Sequence, residues 1–171
     1  MEIRALREDD DRTGFQSGDP DLDTFFQQYA GQNQFRHHVG ITYIALDVGR
    51  VIGYATVAAG HLEIDDLSTP LRKHLPRYPS PVLRLGRLAV DRTAQGRGTG
   101  TALLRFAMKL ALEMAGEYGC IGLLVDAKPG AVEYYEAFGF MRLAPAEGGI
   151  ASRPAPVAMF LPIGEIRKGM E

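Results

Sequence analysis

The segment between residues 81 and 117 constrains the fold of this chain more than any other. An apolar, strand-like run over residues 81–91 is followed by Gln95-Gly96-Arg97-Gly98-Thr99-Gly100-Thr101, and a long apolar helical pattern then runs from Gly98 to about Gly116. We call residues 95–101 the glycine loop. Its glycines let the main chain turn sharply, and the N-terminus of the helix that follows favours an anion. The segment therefore predicts a site for a phosphate group.

Two common phosphate-binding loops are excluded by the same residues. A Walker A loop needs a lysine directly before its Ser or Thr, and no lysine occurs in the glycine loop. The dinucleotide-binding pattern needs a third glycine where this chain has Leu103. A glycine-rich turn by itself is also consistent with a purely structural loop.

The apolar alternation of the strand before the loop changes along its length. Leu83 and Leu85 place odd positions on the apolar face, whereas Leu88 and Val90 place even positions there. A strand accommodates such a shift by inserting one residue, as a β-bulge does. We therefore expect a bulge at Gly86-Arg87, with main-chain groups left unpaired for a ligand.

The rest of the chain alternates between strand and helix patterns. Asp19-Pro20 begins a predicted helix that continues through Tyr29, because Asp caps helices and Pro suits the first turn. Val48-Gly49-Arg50 predicts a hairpin loop. Further elements are predicted at 41–47 (strand), 51–59 (strand), 121–127 (buried strand), 130–138 (short helix), 140–143 (strand) and 156–161 (strand).

Composition narrows the class of protein. A chain of 171 residues with 46% hydrophobic side chains predicts one domain, residues 1–163, followed by a loose polar tail, residues 164–171. No apolar run is long enough for a membrane span and the N-terminus is charged, so we expect a cytoplasmic protein without a membrane segment. The single cysteine, Cys120, and the spacing of the four histidines predict no metal site.

Charge is distributed unevenly along the chain although the net charge is only −2. Residues 1–23 hold eight acids and three bases, whereas residues 71–105 hold eight bases and one acid, a local charge of +7. A nearly neutral total therefore neither supports nor excludes a polyanionic partner.

The order of these motifs resembles the GNAT acetyltransferase superfamily. The strand, the Gln-x-x-Gly-x-Gly loop, the long helix, the buried strand and then Ala131-x-x-x-Tyr135-Glu136-Ala137-Phe138-Gly139-Phe140 follow one another as in that family. The resemblance implies an α/β (α+β) fold with a mixed, mostly antiparallel central sheet, a splayed and bulged strand, and helices on both faces. It also implies acetyl-CoA as cofactor.

The resemblance assigns roles to particular residues. Cofactor binding falls on the strand residues and on the glycine loop, namely Leu88, Ala89, Val90, Gln95, Gly96, Arg97, Gly98, Thr99, Gly100 and Thr101. Tyr135 is implied as the general acid beside the coenzyme sulfur. Its neighbour Tyr134 occupies a packing position. The alternative interpretation is that Tyr134 and Tyr135 are both core aromatic residues without a catalytic role. Lys128 stands where many relatives carry an Asn that contacts the coenzyme arm, so the resemblance does not carry that one contact over; contact of Lys128 with a phosphate is the alternative.

A tyrosine suits this role chemically. Attack of an amine on a thioester releases a thiolate, and a positioned phenol can protonate it or donate a hydrogen bond to it. The bulged strand carries no carboxylate that would serve as a base. An α-amino acceptor, with a pKa of about 8, needs none because part of it is already neutral at pH 7.

The N-terminal half resembles the TacT-type toxins of this superfamily. The resemblance rests on Phe15-x-Ser17-Gly18-Asp19-Pro20-Asp21-Leu22-Asp23-x-Phe25, Gln32-Asn33-Gln34, Gly53-Tyr54 and Leu85-Gly86-Arg87-Leu88-Ala89-Val90-Asp91. It implies acetylation of the α-amino group of aminoacyl-tRNA, a translation-blocking activity, and a ribbon-helix-helix antitoxin as partner. A homodimer is a further arrangement that the sequence leaves open.

The basic residues between 71 and 105, called the basic tract, include candidates for binding an RNA acceptor, namely Arg72, Lys73, Arg77, Arg84 and Arg87. Residues 72–77 alone are equally consistent with a solvated loop. The alternative acceptors are a small amine or a protein N-terminus. Binding of acetyl-CoA without catalysis is a third, non-enzymatic interpretation. His61 and Glu63 are an alternative base, with a structural role as the simpler assignment.

Overall fold

The computed structural model describes residues 1–63, 67, 70, 73, 75–76, 79–143 and 156–170. The strands are β1 (Glu2–Ala5), β2 (Ile41–Asp47), β3 (Arg50–Leu62), β4 (Ser80–Val90), β5 (Gly122–Ala127), β6 (Met141–Arg142) and β7 (Val157–Pro162). The helices are α1 (Pro20–Thr24), α2 (Ala30–Phe35), α3 (Thr99–Glu117), α4 (Val132–Ala137) and α5 (Ile163–Met170). The seven strands form one sheet in the order β1-β2-β3-β4-β5-β7-β6. The predicted mixed fold is thereby confirmed.

Antiparallel pairing dominates the sheet. It joins β1 to β2, β2 to β3, β5 to β7 and β6 to β7. The β2–β3 hairpin turns on Val48 and Gly49, with φ of 50° and 75°, and Arg50 already pairs with Asp47. Two successive positive φ values are those of a type I′ turn, which matches the twist of paired strands. The loop is therefore one residue shorter than the sequence predicts.

Burial along β4 does not follow the predicted change of face. Leu83 and Leu85 are buried, as expected, but beyond Gly86 it is Ala89 that is buried, while Leu88 and Val90 are only half-buried. Leu88 and Val90 are thus less buried than the expected pattern requires, but burial on an interior strand does not show which face a side chain lies on. The bulge at Gly86-Arg87 stays a prediction. A register irregularity is found in the β2–β3 pair instead, between Ala45 and Leu46.

Contacts within the chain divide it into two compact units. The first unit comprises Met1–Ala58 and Leu85–Lys109. Its core includes Leu6, Phe15, Phe25, Phe26, Ala30, Ile44, Tyr54 and Ala89. Tyr54 is fully buried, stacks on Phe26 at 4.6 Å between ring centroids, and donates its hydroxyl hydrogen to the carbonyl oxygen of Leu22 at 2.7 Å. Burial of a tyrosine is stabilising here because its polar end has a partner.

The predicted helix after Asp19 is confirmed, with an interruption. The Asp19 carboxylate accepts hydrogen bonds from the N–H groups of Asp21 and Leu22, as an N-cap does. Residues Phe25–Tyr29 form a π-helical turn between α1 and α2, in which the Ala30 N–H donates to the Phe25 carbonyl oxygen. Such turns occur frequently at functional sites.

The second unit comprises Ala59–Arg84 and Leu110–Glu171. A cluster in its core contains Leu62, Leu67, Val82, Leu124 and Phe160. The C-terminal residues do not form the expected loose tail: α5 is a helix whose Ile166 is 2% exposed. Burial of the apolar Ile166 side chain stabilises the helix. The polar composition of residues 164–171 does not indicate this contact.

Helix α3 confirms the predicted pattern of polar positions. Arg105, Lys109 and Glu113 are exposed and Thr101 is half-buried, while Leu103, Leu104 and Ala111 are fully buried. The narrow polar stripe is what a helix packed on most of its circumference requires.

Candidate functional site

The glycine loop is open where a ligand would approach it. Gly96 and Gly98 have φ of 79° and 84°, a region that favours glycine. A Cβ atom built on either residue would meet no atom within 4 Å. The predicted sharp turn is therefore present, and no neighbouring residue packs against the Cβ position of either glycine.

The loop leads directly into helix α3. Thr99 is the first helical residue and is 4% exposed, and the Ala102 N–H donates to the carbonyl oxygen of Gly98 at 3.0 Å. The amides of the first turn have no acceptor in the preceding turn of a helix, so an anion binds well at such an end. Arg97 is exposed in the loop and adds positive charge. These features fit the phosphates of a coenzyme A molecule.

Gln95 is used differently from the expectation. Its side-chain Nε2 donates to the carbonyl oxygens of Ser17 at 2.8 Å and Val90 at 3.0 Å. The amide group therefore holds the loop to its own unit. Val90 is one of the expected pantetheine contacts. Its carbonyl oxygen already accepts a hydrogen bond from Gln95, which leaves one further lone pair for a ligand.

Asp91 anchors the start of the loop. Its side chain is buried and accepts hydrogen bonds from the Gln16 N–H, the Thr93 N–H, the Thr93 hydroxyl and Arg50. Burial alone raises the pKa of this carboxyl, but the bonds from Gln16 and Thr93 and the charge of Arg50 together lower it below the usual value. Asp91 is therefore an ionised structural anchor at the end of β4.

Arg87 is the basic residue that the first unit places on an aromatic ring. Its guanidinium carbon lies 3.7 Å from the ring centroid of Phe25. Contact with the ring face leaves the N–H groups at the edge of the guanidinium available to an anionic or carbonyl group. Burial raises the pKa of the nearby Tyr54, and the Arg87 charge opposes that shift.

Tyr135 lies in the second unit, on helix α4. It is 8% exposed, and its ring packs edge-on against Tyr134 and Phe140, each at 5.4 Å between centroids. Burial, with a smaller effect from Tyr134, raises the pKa of Tyr135 to about 12. The phenol therefore keeps its proton throughout the physiological range. Tyr134 is 38% exposed.

The remaining predicted binding residues are in different situations. Arg84 forms an ion pair with Asp126 within the second unit. Lys73 is exposed, whereas Arg72 and Arg77 lie outside the described residues. Lys128, His61 and Glu63 are exposed. Arg84 is thus less available to an RNA than its position in the sequence suggested.

Neither a metal site nor a membrane-spanning helix is found in the described part of the chain. No group of three or more His, Cys, Asp or Glu side chains there is arranged to hold a metal ion. None of the helices described is both long and apolar enough to cross a bilayer.

Comparison with known proteins decides the family. The model of the acetyltransferase (GNAT) family matches residues 2–140. The chain belongs to the GNAT family. Within it, the chain is 36% identical over 124 residues to a tRNA-acetylating toxin of Mycobacterium tuberculosis (strain ATCC 25618 / H37Rv), covering 72% of this chain and 74% of the relative.

Solved GNAT structures resemble the chain over its whole length. The structure of AtaT complexed with acetyl-methionyl-tRNAfMet is 28% identical, with a TM-score of 0.84, and 99% of each chain is covered. A tyrosine-to-phenylalanine mutant of the AtaT toxin, bound to the C-terminus of the antitoxin AtaR and acetyl-CoA, is 25% identical with a TM-score of 0.79. That match covers 99% of this chain and 97% of the other. The predicted membership of this GNAT family is confirmed.

Sequence reasoning overlooked the residues that support the glycine loop. Ser17 accepts a hydrogen bond from Gln95 across 78 positions of the chain, and Gln16 donates one across 75 positions to Asp91, just before the loop. The only local signal was Asp91 followed by Thr93, a spacing typical of a side chain that caps a turn.

Proposed function

We propose that the chain is an N-acetyltransferase that transfers the acetyl group of acetyl-CoA to the α-amino group of aminoacyl-tRNA, as a translation-blocking toxin. The observation that carries this proposal is the full-length likeness to AtaT complexed with acetyl-methionyl-tRNAfMet, together with 36% identity to a tRNA-acetylating toxin. Membership of the GNAT family supports the reaction type.

Acetyl-CoA supplies an activated acetyl thioester. We assign its phosphates to the glycine loop, because Gly96 and Gly98 turn the main chain sharply just before the N-terminus of α3. Leu88, Ala89 and Val90 remain our candidates for the pantetheine arm. Arg97 complements the negative charge from an exposed position.

Tyr135 is our proposed hydrogen-bond donor to the leaving sulfur. Its pKa of about 12 lies above that of an ordinary thiol, so complete proton transfer from the phenol to a thiolate is unfavourable. A phenol that stays protonated still stabilises developing charge by hydrogen bonding. The structure therefore favours this role over full general-acid transfer.

No strong base is required for the proposed acceptor. An α-amino group has a pKa of about 8, so a fraction is neutral at pH 7 and able to attack. The acceptor nitrogen replaces sulfur on the acetyl carbon, and its surplus proton passes to water. Glu63 and His61 are exposed at or just beyond the end of β3, and the reaction proposed here assigns them no part.

Arg87 and Lys73 are the described residues that we propose for the RNA acceptor, with Arg72 and Arg77 from the same basic tract. Both described residues are exposed, and the guanidinium of Arg87 is oriented by Phe25. Phosphate contacts of this kind make binding depend on salt. Arg84 is the weakest of the candidates because Asp126 already neutralises it.

We also propose a protein partner and a location. The likeness to a toxin bound to the C-terminus of an antitoxin supports an antitoxin partner, for which the ribbon-helix-helix class is our expectation. Charged tRNA and acetyl-CoA are available in the cytoplasm, where we place the activity. We propose one catalytic domain over residues 1–163, and α5 as a helix that extends it.

Transfer from labelled acetyl-CoA to a set of acceptors tests the proposal. The set comprises charged tRNA, uncharged tRNA, a polyamine and a peptide with a free N-terminus. We expect label only on charged tRNA, and in the N-acetyl amino acid released from it by mild alkali. Labelling of the polyamine or peptide in preference would replace the tRNA proposal with the alternative acceptor while leaving the reaction type intact.

A further inference from the structure

Residues 16–19, before helix α1, are hydrogen-bonded to the glycine loop and to the residues just before it. The Gln16 N–H donates to Asp91 Oδ2 at 3.0 Å, and the Arg92 N–H donates to the Gln16 carbonyl oxygen at 2.8 Å. The Gln95 side chain then donates to the carbonyl oxygen of Ser17 at 2.8 Å. We call residues 16–19 the strap. It contacts the chain on both sides of the short turn Arg92–Ala94.

The other end of the strap is fixed to helix α1. The N–H and hydroxyl groups of Ser17 both donate to Asp23 Oδ1, at 2.9 and 2.6 Å. The Asp19 N–H donates to the Ser17 hydroxyl at 3.1 Å, and the Asp19 side chain caps α1. The strap is therefore not a free end: its position is set by the helix that follows it.

Gly96 and Gly98 give the turn of the glycine loop little side-chain packing of its own. No atom lies within 4 Å of a Cβ built on either residue, and glycine loses more backbone entropy on ordering than any other residue. A ligand that had to order such a loop would bind more weakly for that reason. An external constraint on the loop before binding would remove this cost.

We propose that the strap and Gln95 form a clasp that pre-organises the glycine loop, so that Gln95 is a positioning residue and not a ligand of the cofactor. Asp23 belongs to the clasp although it does not touch the loop, because it holds Ser17. The inference rests on the proposed function only in taking acetyl-CoA as the molecule that the loop binds.

The test compares variants of the full chain in their affinity for acetyl-CoA, measured by calorimetric titration. Gln95→Met keeps the length of the side chain and removes both hydrogen bonds, and we expect affinity to fall about tenfold. Asp23→Ala should also weaken binding severalfold, whereas Asp23→Asn keeps Oδ1 as an acceptor and should bind as the wild type does.

Gln34 provides the matched control. Its side chain also bridges two main-chain groups of the first unit, donating to the Leu6 carbonyl oxygen and accepting from the Thr42 N–H. Gln34→Met should lower the melting temperature but leave the affinity for acetyl-CoA unchanged. A structural role alone would make Gln95→Met and Gln34→Met behave alike.

A double mutant separates positioning from direct contact. If Gln95 acts through the strap, Gln95→Met combined with Asp23→Ala should weaken binding by less than the product of the two single effects. Wild-type affinity in Gln95→Met, or multiplication of the two effects, would overturn the clasp.

Hydrogen exchange tests the clasp independently of the proposed function. In the free chain, amides 96–101 should exchange faster in Gln95→Met than in the wild type or in Gln34→Met. Failure of the wild type to bind acetyl-CoA would refute the proposed function. Unchanged exchange in Gln95→Met would refute the clasp whatever the cofactor.

Discussion

The raised pKa of Tyr135 leads to a quantitative prediction about its ionisation. The side chain is 8% exposed, and its pKa of about 12 compares with an ordinary value of 10.0. The difference corresponds to about 3 kcal/mol of preference for the neutral phenol in the fold. At about pH 10 an ordinary tyrosine is half ionised, whereas Tyr135 should be about 1% ionised.

The assay is a spectroscopic pH titration of phenolate absorbance in the free chain. Below about pH 10.5, the curve of Tyr135→Phe should overlay that of the wild type, because the missing phenol does not ionise in that range. Tyr118→Phe is the matched control: Tyr118 is 83% exposed, and its removal sets the signal of one tyrosine.

The pKa shift also has a consequence for stability. A phenol whose pKa is raised by folding contributes stability that is complete below about pH 10 and is lost as the pH rises towards 12. Tyr135→Phe should be free of that loss. A Tyr135-dependent phenolate signal with a midpoint near pH 10 would refute the buried, protonated phenol on which the proposed role depends.

Three further predictions concern other parts of the chain. Gly122→Ala should destabilise the protein by about 3 kcal/mol and lower the melting temperature by about 6–12 °C. The new methyl group would collide with the Leu161 carbonyl oxygen and lie 2.5 Å from the Phe160 ring. Gly116→Ala, in an open position of α3, should instead stabilise by about 0.5–1 kcal/mol in thermal unfolding, and equal effects of the two changes would contradict the packing around β5. Asp91→Asn should destabilise by about 1–3 kcal/mol in denaturant at neutral pH, since an amide cannot accept all the bonds that the carboxylate accepts. Because folding lowers the pKa of Asp91, the wild-type advantage should be complete above about pH 4 and shrink as the pH falls further; an advantage that persists in acid would be evidence against an ionised anchor. Arg87→Lys should raise KM for the RNA acceptor about two- to fivefold and leave acetyl-CoA affinity unchanged, because lysine lacks the planar group that lies over Phe25; an unaltered KM would remove Arg87 from the acceptor site.

Local patterns in the sequence predicted most of the fold. Asp19-Pro20 marked the start of α1, and the polar stripe of α3 marked its exposed side, since both depend on interactions within a few residues. The helix α5 was missed because Ile166 is a single apolar residue in a charged segment, and only packing shows that it is buried. The short strand β1 was missed for a similar reason, as it gains its order by pairing with β2.

Predictions about the site divide in the same way. The positive φ values of Gly96 and Gly98 follow from residue type, so the open turn was predictable. The use of the Gln95 side chain was not, because its acceptor on Ser17 lies 78 positions away. Burial on β4 beyond Gly86 did not follow the predicted alternation, since a strand in the interior of a sheet buries side chains on both faces.

The specificity constant for aminoacyl-tRNA relative to the methyl ester of the same amino acid tests the central claim most directly. Both acceptors present the same α-amino group, so a difference between them reports recognition of the RNA. We expect kcat/KM to be at least about a hundredfold higher for the tRNA, with the advantage falling as salt is added. Equal values for the two acceptors at low salt would contradict recognition of the RNA.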